Sequence, residues 1–466
     1  MKVEEGLPSG SRDVLPAGAL GAVGGPLGRY AAGRAGGWST RLVALLALMT
    51  ATMVVGSVER GHCVERGWNG SDQFWHACFS DLPALYQLGH LSGGLPAYLD
   101  SGPGGAALDH PVVTGAVMAF VGGLVGDGRV ADQVRWYFIL WVLLATLLML
   151  AVVFFTAASR PRHLSDAALV ALSPVVALAA LVSADVVGVA LVSAALWAWS
   201  RRAVVSTGIL LGLAIAARTY PVLVLAALLF LAVRTGRRQT ARSLLLAVGA
   251  TLLLVALPFL AANPGALGAA YSAWWDAAPN LGSLAMLGQI VGHPLSAGAS
   301  TAIAVLGMVV AVVVSALLAL SAPRRPTVAE VALVAVGIAL VTGKSVPVQA
   351  SLWLVPLVAL CGFRWRDKLI WAGAEAVHFV AVWLYVAGGS DPNRMIRPAW
   401  YAVILLARLA AIVYLVWRAW AQAQDRLPRE ADPEGEWPGD PDRDEVVDEL
   451  AGDFHERPDR LIVSFA

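Results

Sequence analysis

The sequence predicts an all-α polytopic membrane protein, and its composition carries that prediction. Hydrophobic residues make up 58% of the 466 residues and charged residues only 14%, with a mean hydropathy of +0.69. Soluble domains contain more charge and less apolar material. The apolar residues also fall into long runs, as expected for helices that cross a bilayer. The formal net charge is +1, so nothing in the overall charge indicates nucleic acid as a partner.

About twelve apolar runs approach the length of a membrane-spanning helix, which predicts a bundle of about 12 transmembrane helices. Several runs are short, and some resemble half of a merged hairpin. In chain order the runs are Leu42–Val58, Trp136–Ala158, Ala167–Val182, Val186–Trp199, Ala203–Ala217, Tyr220–Val233, Ser243–Ala262, Ser300–Leu320, Val328–Val341, Ser351–Phe363, Leu369–Val386 and Ala399–Trp417.

Polar segments flank this membrane domain, which we place at residues 41–420. Residues 1–40 are rich in Gly, Ala and Pro, so we expect a disordered cytoplasmic arm. Residues 421–466 are acidic and rich in proline. They predict a mostly disordered cytoplasmic tail, with a short helix at Asp444–Phe454.

The segment Pro111–Val125 decides the predicted topology. If it crosses the membrane, five basic clusters lie outside, whereas a helix along the outer interface leaves all five inside. Because Lys and Arg concentrate on the cytoplasmic side, we predict an interfacial helix that closes an extracytoplasmic loop at residues 59–126. Both termini are then cytoplasmic. The clusters are Arg160-Pro-Arg162, Arg201-Arg202, Arg234–Arg242, Arg324-Arg325 and Arg364–Lys368.

This topology gathers on one membrane face the polar residues that stand at the ends of apolar runs. Charges in such positions usually face a protein-lined cavity rather than lipid. For any one residue, an ordinary loop charge or a snorkelling side chain explains the position equally well. The residues are Asp81, Asp109, Asp185, Arg218, Lys344 and Gln349.

Several polar residues admit two interpretations. Cys63 and Cys78 form a disulfide if their loop faces an oxidising compartment, or else remain two thiols. Asp81 is either a catalytic base or the N-cap of the helix that follows it. Glu375 and His378 lie one helical turn apart inside an apolar run, and we expect a mutually satisfied pair rather than part of a metal site.

Six short motifs together resemble a known enzyme class. They are Ser80-Asp81-Leu-Pro-Ala-Leu-Tyr86, Gly94-Leu-Pro-Ala-Tyr98, Asp109-His110-Pro111, Ser183-Ala-Asp185, the run from Gly212 to Arg218-Thr-Tyr220-Pro221, and Lys344 through Gln349 to Trp353. In this order they resemble GT-C membrane glycosyltransferases. The likeness is closest to bacterial glycosyltransferase family 87, the polyprenyl-phosphate-mannose-dependent α-mannosyltransferases, and runs from about Cys63 to about Trp417. An interfacial helix after the first outer loop is also a feature of that fold.

The sequence departs from the family pattern at three places. His110 stands where the family usually has an aromatic residue, and Arg218 where Lys is common. Pro347-Val348-Gln349-Ala350 replaces a Ser-Pro-Gln-Tyr string. These departures concern contacts to the acceptor and to the donor headgroup.

The resemblance implies transfer of a hexose, most simply mannose, from a polyprenyl phosphate to an extracytoplasmic glycolipid or glycan. It implies that Asp81 is the general base and that Arg218 and Lys344 contact the lipid phosphate. Asp109 and Asp185 would orient the acceptor or pair with the cations. The other implied substrate contacts are His110, Tyr220 and Gln349. No cofactor and no metal site are expected.

Two other functions remain open. A polytopic transporter or a flippase for lipid-linked sugars would also place charges around a cavity, although no internal repeat is visible. An inactive assembly partner that keeps the fold is a further alternative. The transferase, the transporter or flippase and the inactive partner would each be a multi-pass protein of a bacterial plasma membrane, with its polar site on the extracytoplasmic side.

Overall fold

The computed structural model describes residues 37–102, 108–391, 393, 395–424, 448–455 and 457–463. Almost all of the predicted N-terminal arm lies outside the described residues. So do residues 425–447, which carry most of the acidic run and the start of the helix predicted at Asp444–Phe454. Everything below concerns the described part of the chain.

The described chain forms helices and connecting turns, without a β-strand. The α-helices are α1 (Trp38–Glu59), α2 (Gly61–Arg66), α3 (Asp72–Trp75), α4 (Asp81–Leu88), α5 (Gly94–Leu99), α6 (Val112–Gly123), α7 (Val130–Ser159), α8 (Ala168–Leu172), α9 (Pro174–Ala179), α10 (Val186–Ser200), α11 (Val204–Ala217), α12 (Pro221–Arg234), α13 (Arg238–Ala262), α14 (Gly265–Asp276), α15 (Met286–Ile290), α16 (Ala297–Ser321), α17 (Val328–Thr342), α18 (Val355–Leu360), α19 (Trp365–Ala387) and α20 (Pro398–Gln424). Short 3₁₀ helices include Leu91–Gly93, Pro161–Ala167, Val348–Trp353 and Gly452–Phe454.

Six of these helices, α1, α7, α13, α16, α19 and α20, are long and apolar enough to cross a membrane. This confirms the all-α membrane class. Other predicted runs correspond to apolar helices of 10–17 residues, such as α10, α11, α12 and α17, or to broken segments such as α8 and α9. At 1.5 Å per residue such helices are shorter than the hydrocarbon core, which is about 30 Å thick.

The short helices α10 and α17 lie inside the bundle. Almost every side chain of α17 from Val328 to Gly337 is buried, and α10 is buried nearly as completely. The long helices α13 and α16 expose many of their apolar side chains instead. A helix that is apolar on all sides belongs in a protein core. The long helices α13 and α16 therefore lie at the outer surface, and α10 and α17 belong to the core.

Small residues bring α11 and α13 close together. Gly208 and Gly212 lie one turn apart on the same face of α11. A Cβ atom at Gly212 would lie 2.7 Å from Cβ of Thr251, and one at Gly208 would lie 2.5 Å from Cβ of Ala247. Larger residues would therefore push the two helices apart. Small residues at such a spacing are typical of helices that pack within membranes.

The segment predicted at Pro111–Val125 forms α6, and Pro111 is its N-cap. The helix packs against α5 and against α11. The hydroxyl of Thr114 donates to the carbonyl of Ala217 at 2.7 Å, which fixes α6 to the last turn of α11. The 12 residues of α6 are too few to span a bilayer. The predicted position along the interface stays a prediction.

Several helices connect two distinct polar regions of the bundle. Asp185 immediately precedes α10, whereas Trp199 lies in its last turn; Tyr220 precedes α12, which ends at Arg234. The two ends of these helices are about 20 Å apart. We call the region of Asp81, Asp185 and Arg218 the carboxylate end. The region of Arg160, Arg234, Arg237 and Arg325 is called the arginine end.

The last described segment, residues 448–463, packs on the arginine end. Leu450 and Phe454 are buried, and the ring of Phe454 lies 4.7 Å from that of Trp199. The indole N–H of Trp199 donates to the carbonyl of Leu450 at 2.9 Å. Gly452 has φ +53° and presses directly on Trp199, where a Cβ atom would clash. For these residues the structure differs from the predicted disorder, because apolar side chains anchor the segment.

Carboxylates of this segment pair with arginines from two regions, the end of α12 with the loop after it and the loop after α16. Asp453 accepts three hydrogen bonds from Arg237, at 2.6, 2.8 and 3.0 Å. Asp459 lies 2.7 Å from both Arg234 and Arg325. These pairs join the loop after α12 to the loop after α16. The predicted helix reduces to Gly452–Phe454 within the described residues.

Candidate active site

Ser80, rather than Asp81, caps helix α4. The hydroxyl of Ser80 accepts from the backbone N–H of Leu82 at 3.3 Å and donates to the carbonyl of Leu181 at 2.8 Å. Asp81 is the first residue of the helix, and its N–H donates to the carbonyl of Val182 at 2.8 Å. The N-cap interpretation of Asp81 was therefore wrong. Its carboxylate is not needed for capping and is available for another task.

The carboxylate of Asp81 faces the start of α10 and the turn that carries Gln349. Its Oδ2 accepts from the side-chain amide of Gln349 at 3.5 Å, a long hydrogen bond. Burial, together with the negative charge of Asp185, raises the pKa of Asp81 to about 6, although the Arg218 cation opposes the shift. A carboxyl group with a pKa near neutrality is suited to accept and release a proton.

Asp185 organises the cation beside Asp81. One of its oxygens accepts from Arg218 and from the hydroxyl of Ser183, the latter at 2.9 Å. The other accepts from the indole N–H of Trp353 at 2.7 Å. Asp185 is only 2% exposed and Arg218 17% exposed, so both charges are withdrawn from solvent as a pair. The predicted pairing of Asp185 with Arg218 is present.

Three polar atoms near this pair have no hydrogen-bond partner within the described chain. They are Nε of Arg218, the hydroxyl of Tyr220 and Nδ1 of His110, and all three are buried. Buried polar atoms are normally hydrogen-bonded, and a set of unpaired ones is a reason to expect a ligand. Burial and the Arg218 cation lower the pKa of His110 to about 4, against the opposite effect of Asp185. His110 is therefore neutral at physiological pH.

An apolar groove of about 200 Å³ lies where α6, α11, α13 and α14 meet. One wall ends at Pro111, next to His110, and another at Ala216, two residues before Arg218. Its lining residues are Pro111, Val112, Ile215, Ala216, Leu252, Val255, Ala256, Leu267 and Tyr271. The groove therefore begins beside the polar residues of the carboxylate end and continues between apolar helices.

A disulfide joins Cys63 and Cys78, whose Cα atoms are 5.8 Å apart. Both cysteines are buried. The bond closes the segment that enters α4, two residues ahead of Ser80. The indole N–H of Trp68 donates to the carbonyl of Cys78 at 3.3 Å, which supports the same segment. Both features restrain the backbone immediately before Asp81.

Two of the predicted substrate contacts take other positions. The ammonium group of Lys344 donates to the carbonyls of Trp275 and Ala277 and to the hydroxyl of Thr301, at 2.8, 3.0 and 2.7 Å. These bonds use all three of its donors, so the expected phosphate contact is not supported. Asp109 is exposed, without a described contact to Asp81 or Arg218. The sequence placed Lys344 and Asp109 at the ends of apolar runs, but it did not predict which groups they contact in the folded chain.

Sequence reasoning also missed some partners. Trp353 was noted only as part of a motif, but its indole binds Asp185 and its ring stacks on Tyr220 at 4.8 Å. Glu375 pairs with Arg408 at 2.8 Å and not with His378, so that expected pair was wrong. A charged residue in each of two apolar runs is the signal that would have suggested this second pair.

Comparison with known proteins does not extend these observations. The chain matches no model of a known protein family, and a search of curated proteins found no significant match.

Proposed function

We propose that the protein transfers a hexose, most simply mannose, from a polyprenyl phosphate to a hydroxyl group of an extracytoplasmic glycolipid or glycan. One observation carries this proposal. A carboxyl group with a raised pKa, a buried arginine with an unpaired donor and the mouth of an apolar groove occur together at the carboxylate end. Transfer from such a donor needs a base for the acceptor hydroxyl, a cation for the leaving phosphate and an apolar surface for the long chain. The three features supply one each.

The groove supports the lipid part of the donor. Its walls are aliphatic apart from Tyr271, so it favours a hydrocarbon chain over a free sugar nucleotide. Because α13 also exposes many apolar side chains, a chain lying in the groove can continue into the surrounding lipid. A water-soluble donor would gain nothing from this arrangement.

Arg218 is the proposed phosphate ligand. Its guanidinium group already binds Asp185, and its buried Nε has no hydrogen-bond partner within the described chain. A guanidinium group offers planar, paired N–H donors that match phosphate oxygens. As the glycosidic C–O bond to the phosphate breaks, negative charge grows on the leaving phosphate, and a fixed cation stabilises it.

Asp81 is the proposed general base. It takes the proton of the acceptor hydroxyl while that oxygen forms the new bond to the anomeric carbon and the polyprenyl phosphate departs. Gln349 holds the carboxylate, and Tyr220 and His110 supply polar atoms around the sugar. Since phosphate is a good leaving group, one base and one cation suffice without a separate general acid.

The membrane arrangement belongs to the same proposal. It places the carboxylate end outside and both termini in the cytoplasm of a bacterium, as the charge asymmetry of the loops suggests. The GT-C architecture is what the motif resemblance implies, and the apolar runs suggest about twelve membrane-crossing segments. The segment 448–463 supports this topology, because it contacts basic residues from several loops and so gathers them on one face.

The decisive experiment uses purified full-length protein in nanodiscs with polyprenyl phosphate that carries radiolabelled mannose. Membrane lipids extracted from the source cells supply acceptors. We expect label to move from the donor into a second lipid or glycan, and to stay with the donor when protein is omitted. A flippase would instead move intact donor across sealed vesicles without breaking its glycosidic bond. That outcome, or intact donor in both assays, contradicts the proposal.

A further inference from the structure

Two imidazoles and one carboxylate converge in the loop that precedes Asp81. Nε2 of His62 lies 2.5 Å from Oδ2 of Asp72, and Nε2 of His76 lies 3.5 Å from Oδ1 of the same residue. One ligand atom from each residue lies within 4.8 Å of the other two. The imidazole rings stack with their centroids 3.7 Å apart. The proposed sugar transfer uses none of these residues.

These separations are close to what a bound metal ion requires. Zinc takes histidine nitrogen and carboxylate oxygen at about 2.0–2.2 Å, so ligand atoms around a tetrahedral ion are about 3.4 Å apart. The 3.5 Å separation of His76 from Oδ1 of Asp72 is close to that value, whereas the 2.5 Å separation of His62 from Oδ2 is shorter than it. Because both histidines use Nε2, each keeps Nδ1 to carry its hydrogen.

The backbone holds the three residues in place without the ion. His62 lies on α2 next to Cys63, and His76 lies two residues before Cys78, so the disulfide fixes both positions. Asp72 and His76 are separated by one helical turn on and after α3. Ala77, which follows His76, has φ +52°, a conformation that non-glycine residues seldom adopt. Ligands that are already gathered lose little conformational entropy when a metal binds.

A divalent cation binds neutral imidazole nitrogen and ionised carboxylate oxygen, so all three side chains can serve as its ligands. A set of two imidazoles and one carboxylate suits zinc and its neighbours in the first transition row, whereas magnesium and calcium prefer oxygen ligands.

We propose that His62, Asp72 and His76 bind one divalent transition-metal ion of the zinc class. The side chains are 31%, 47% and 49% exposed, so the ion keeps at least one coordination position for water. The ion crosslinks α2 to α3 in parallel with the disulfide and restrains the segment that leads to Asp81. Its role is structural, and the inference does not depend on the proposed sugar transfer.

The test is a zinc titration of the full-length protein, purified through a tag without histidine and freed of metal with EDTA. Competition with a chromophoric zinc chelator gives affinity and stoichiometry. We expect one zinc ion per chain, and binding at least about tenfold weaker in the double variant His62→Ala/His76→Ala. His293→Ala removes an exposed histidine from a different loop and should bind like wild type. Asp72→Asn keeps side-chain volume and should also weaken binding.

Two results would overturn the proposal. One is a wild-type protein that takes no zinc from the chelator. The other is a double variant that binds as tightly as wild type while its disulfide, checked by intact mass, is formed. A double variant that loses the disulfide is replaced in the comparison by Asp72→Asn, which leaves both cysteines and their neighbours unchanged.

Discussion

The carboxylate end and the arginine end lie at opposite ends of the same short helices but treat charge differently. At the arginine end Arg234, Arg237 and Arg325 each have a carboxylate partner from residues 448–463. At the carboxylate end Asp81 has only a long hydrogen bond from Gln349, and Nε of Arg218 has no partner within the described chain. Paired charge holds loops together, whereas incompletely paired charge is available for a substrate.

The largest expected effect is on catalysis at the carboxylate end. Asp81→Asn keeps the size of the side chain and its contact with Gln349 but removes the basic oxygen. Turnover should fall by about 10²–10⁴-fold while binding of the lipid donor persists. Transfer of radiolabelled mannose in nanodiscs measures both. Asp109→Asn, at an exposed position nearby, is the matched control and should keep most of the rate. The reverse result would assign the base to Asp109.

A second substitution tests how much the pair of Asp185 and Arg218 contributes to stability. Asp185→Ala leaves the Arg218 cation buried without its carboxylate, and breaking such a pair costs about 3 kcal/mol or more. Thermal unfolding in detergent should show a clear loss of stability. Asp185→Asn keeps one side-chain oxygen, which can still accept from Ser183 or from Trp353, and should lose less. Equal stability of the alanine variant and wild type would mean that the pair does not hold this region together.

The two ends should also respond differently to pH. Because the pKa of Asp81 is raised to about 6, the basic form is lost as the pH falls through that value, and turnover should drop about tenfold per unit below it. At the arginine end, burial raises the pKa of Asp453, but hydrogen bonds from Thr240 and Arg237 outweigh burial and hold that pKa below its usual range. Its contribution to stability therefore persists above about pH 4 and disappears only below it.

A rate profile between pH 5 and 8, recorded with a protease assay of residues 448–463, tests this difference. Wild type should lose activity in acid while the segment stays resistant to cleavage. Loss of both properties at one pH would show a general acid transition and not the titration of Asp81. The Asp81→Asn variant is the control, because its residual rate should lack the step.

The smallest expected effect is at the arginine end. Asp453→Asn weakens the contacts with Arg237, which are partly exposed, so the cost is about 1 kcal/mol and is reduced by salt. Trypsin cleavage after Arg460, which precedes Leu461, reports release of the segment. Cleavage should be faster in the variant, and in wild type faster at high salt. A rate that does not depend on salt would mean that Leu450 and Phe454 hold the segment without help from the ion pairs.

Sequence reasoning predicted the features that depend on local pattern. Apolar runs predicted the helices, and Pro111 with the charge clusters predicted a separate short helix that is now α6. Partners in space were harder. The pairing of Glu375 with Arg408 joins two helices, and the hydrogen bond from Lys344 to Trp275 joins the loop after α17 to the last turn of α14. Hydropathy records that a charge is present in an apolar run, but only packing selects its partner.

The tail is a second region in which the sequence did not predict a contact. Residues 421–466 have the composition of a disordered segment, and a few apolar residues hardly change that average. Leu450 and Phe454 nevertheless fit between helices, and Gly452 allows close contact with Trp199. Composition averages over many residues, whereas docking depends on three or four of them.

The docked segment also has a consequence for biosynthesis. The disulfide joins residues only 15 apart near the start of the chain, so it can form while most of the protein is still untranslated. Residues 448–463 leave the ribosome after all of the helices α1–α20, and their binding surface needs the loops after α7, α12 and α16 to be in place already. Docking thus reports that assembly is complete. A chain that misplaces one of those helices would leave Leu450 and Phe454 exposed to cellular proteases.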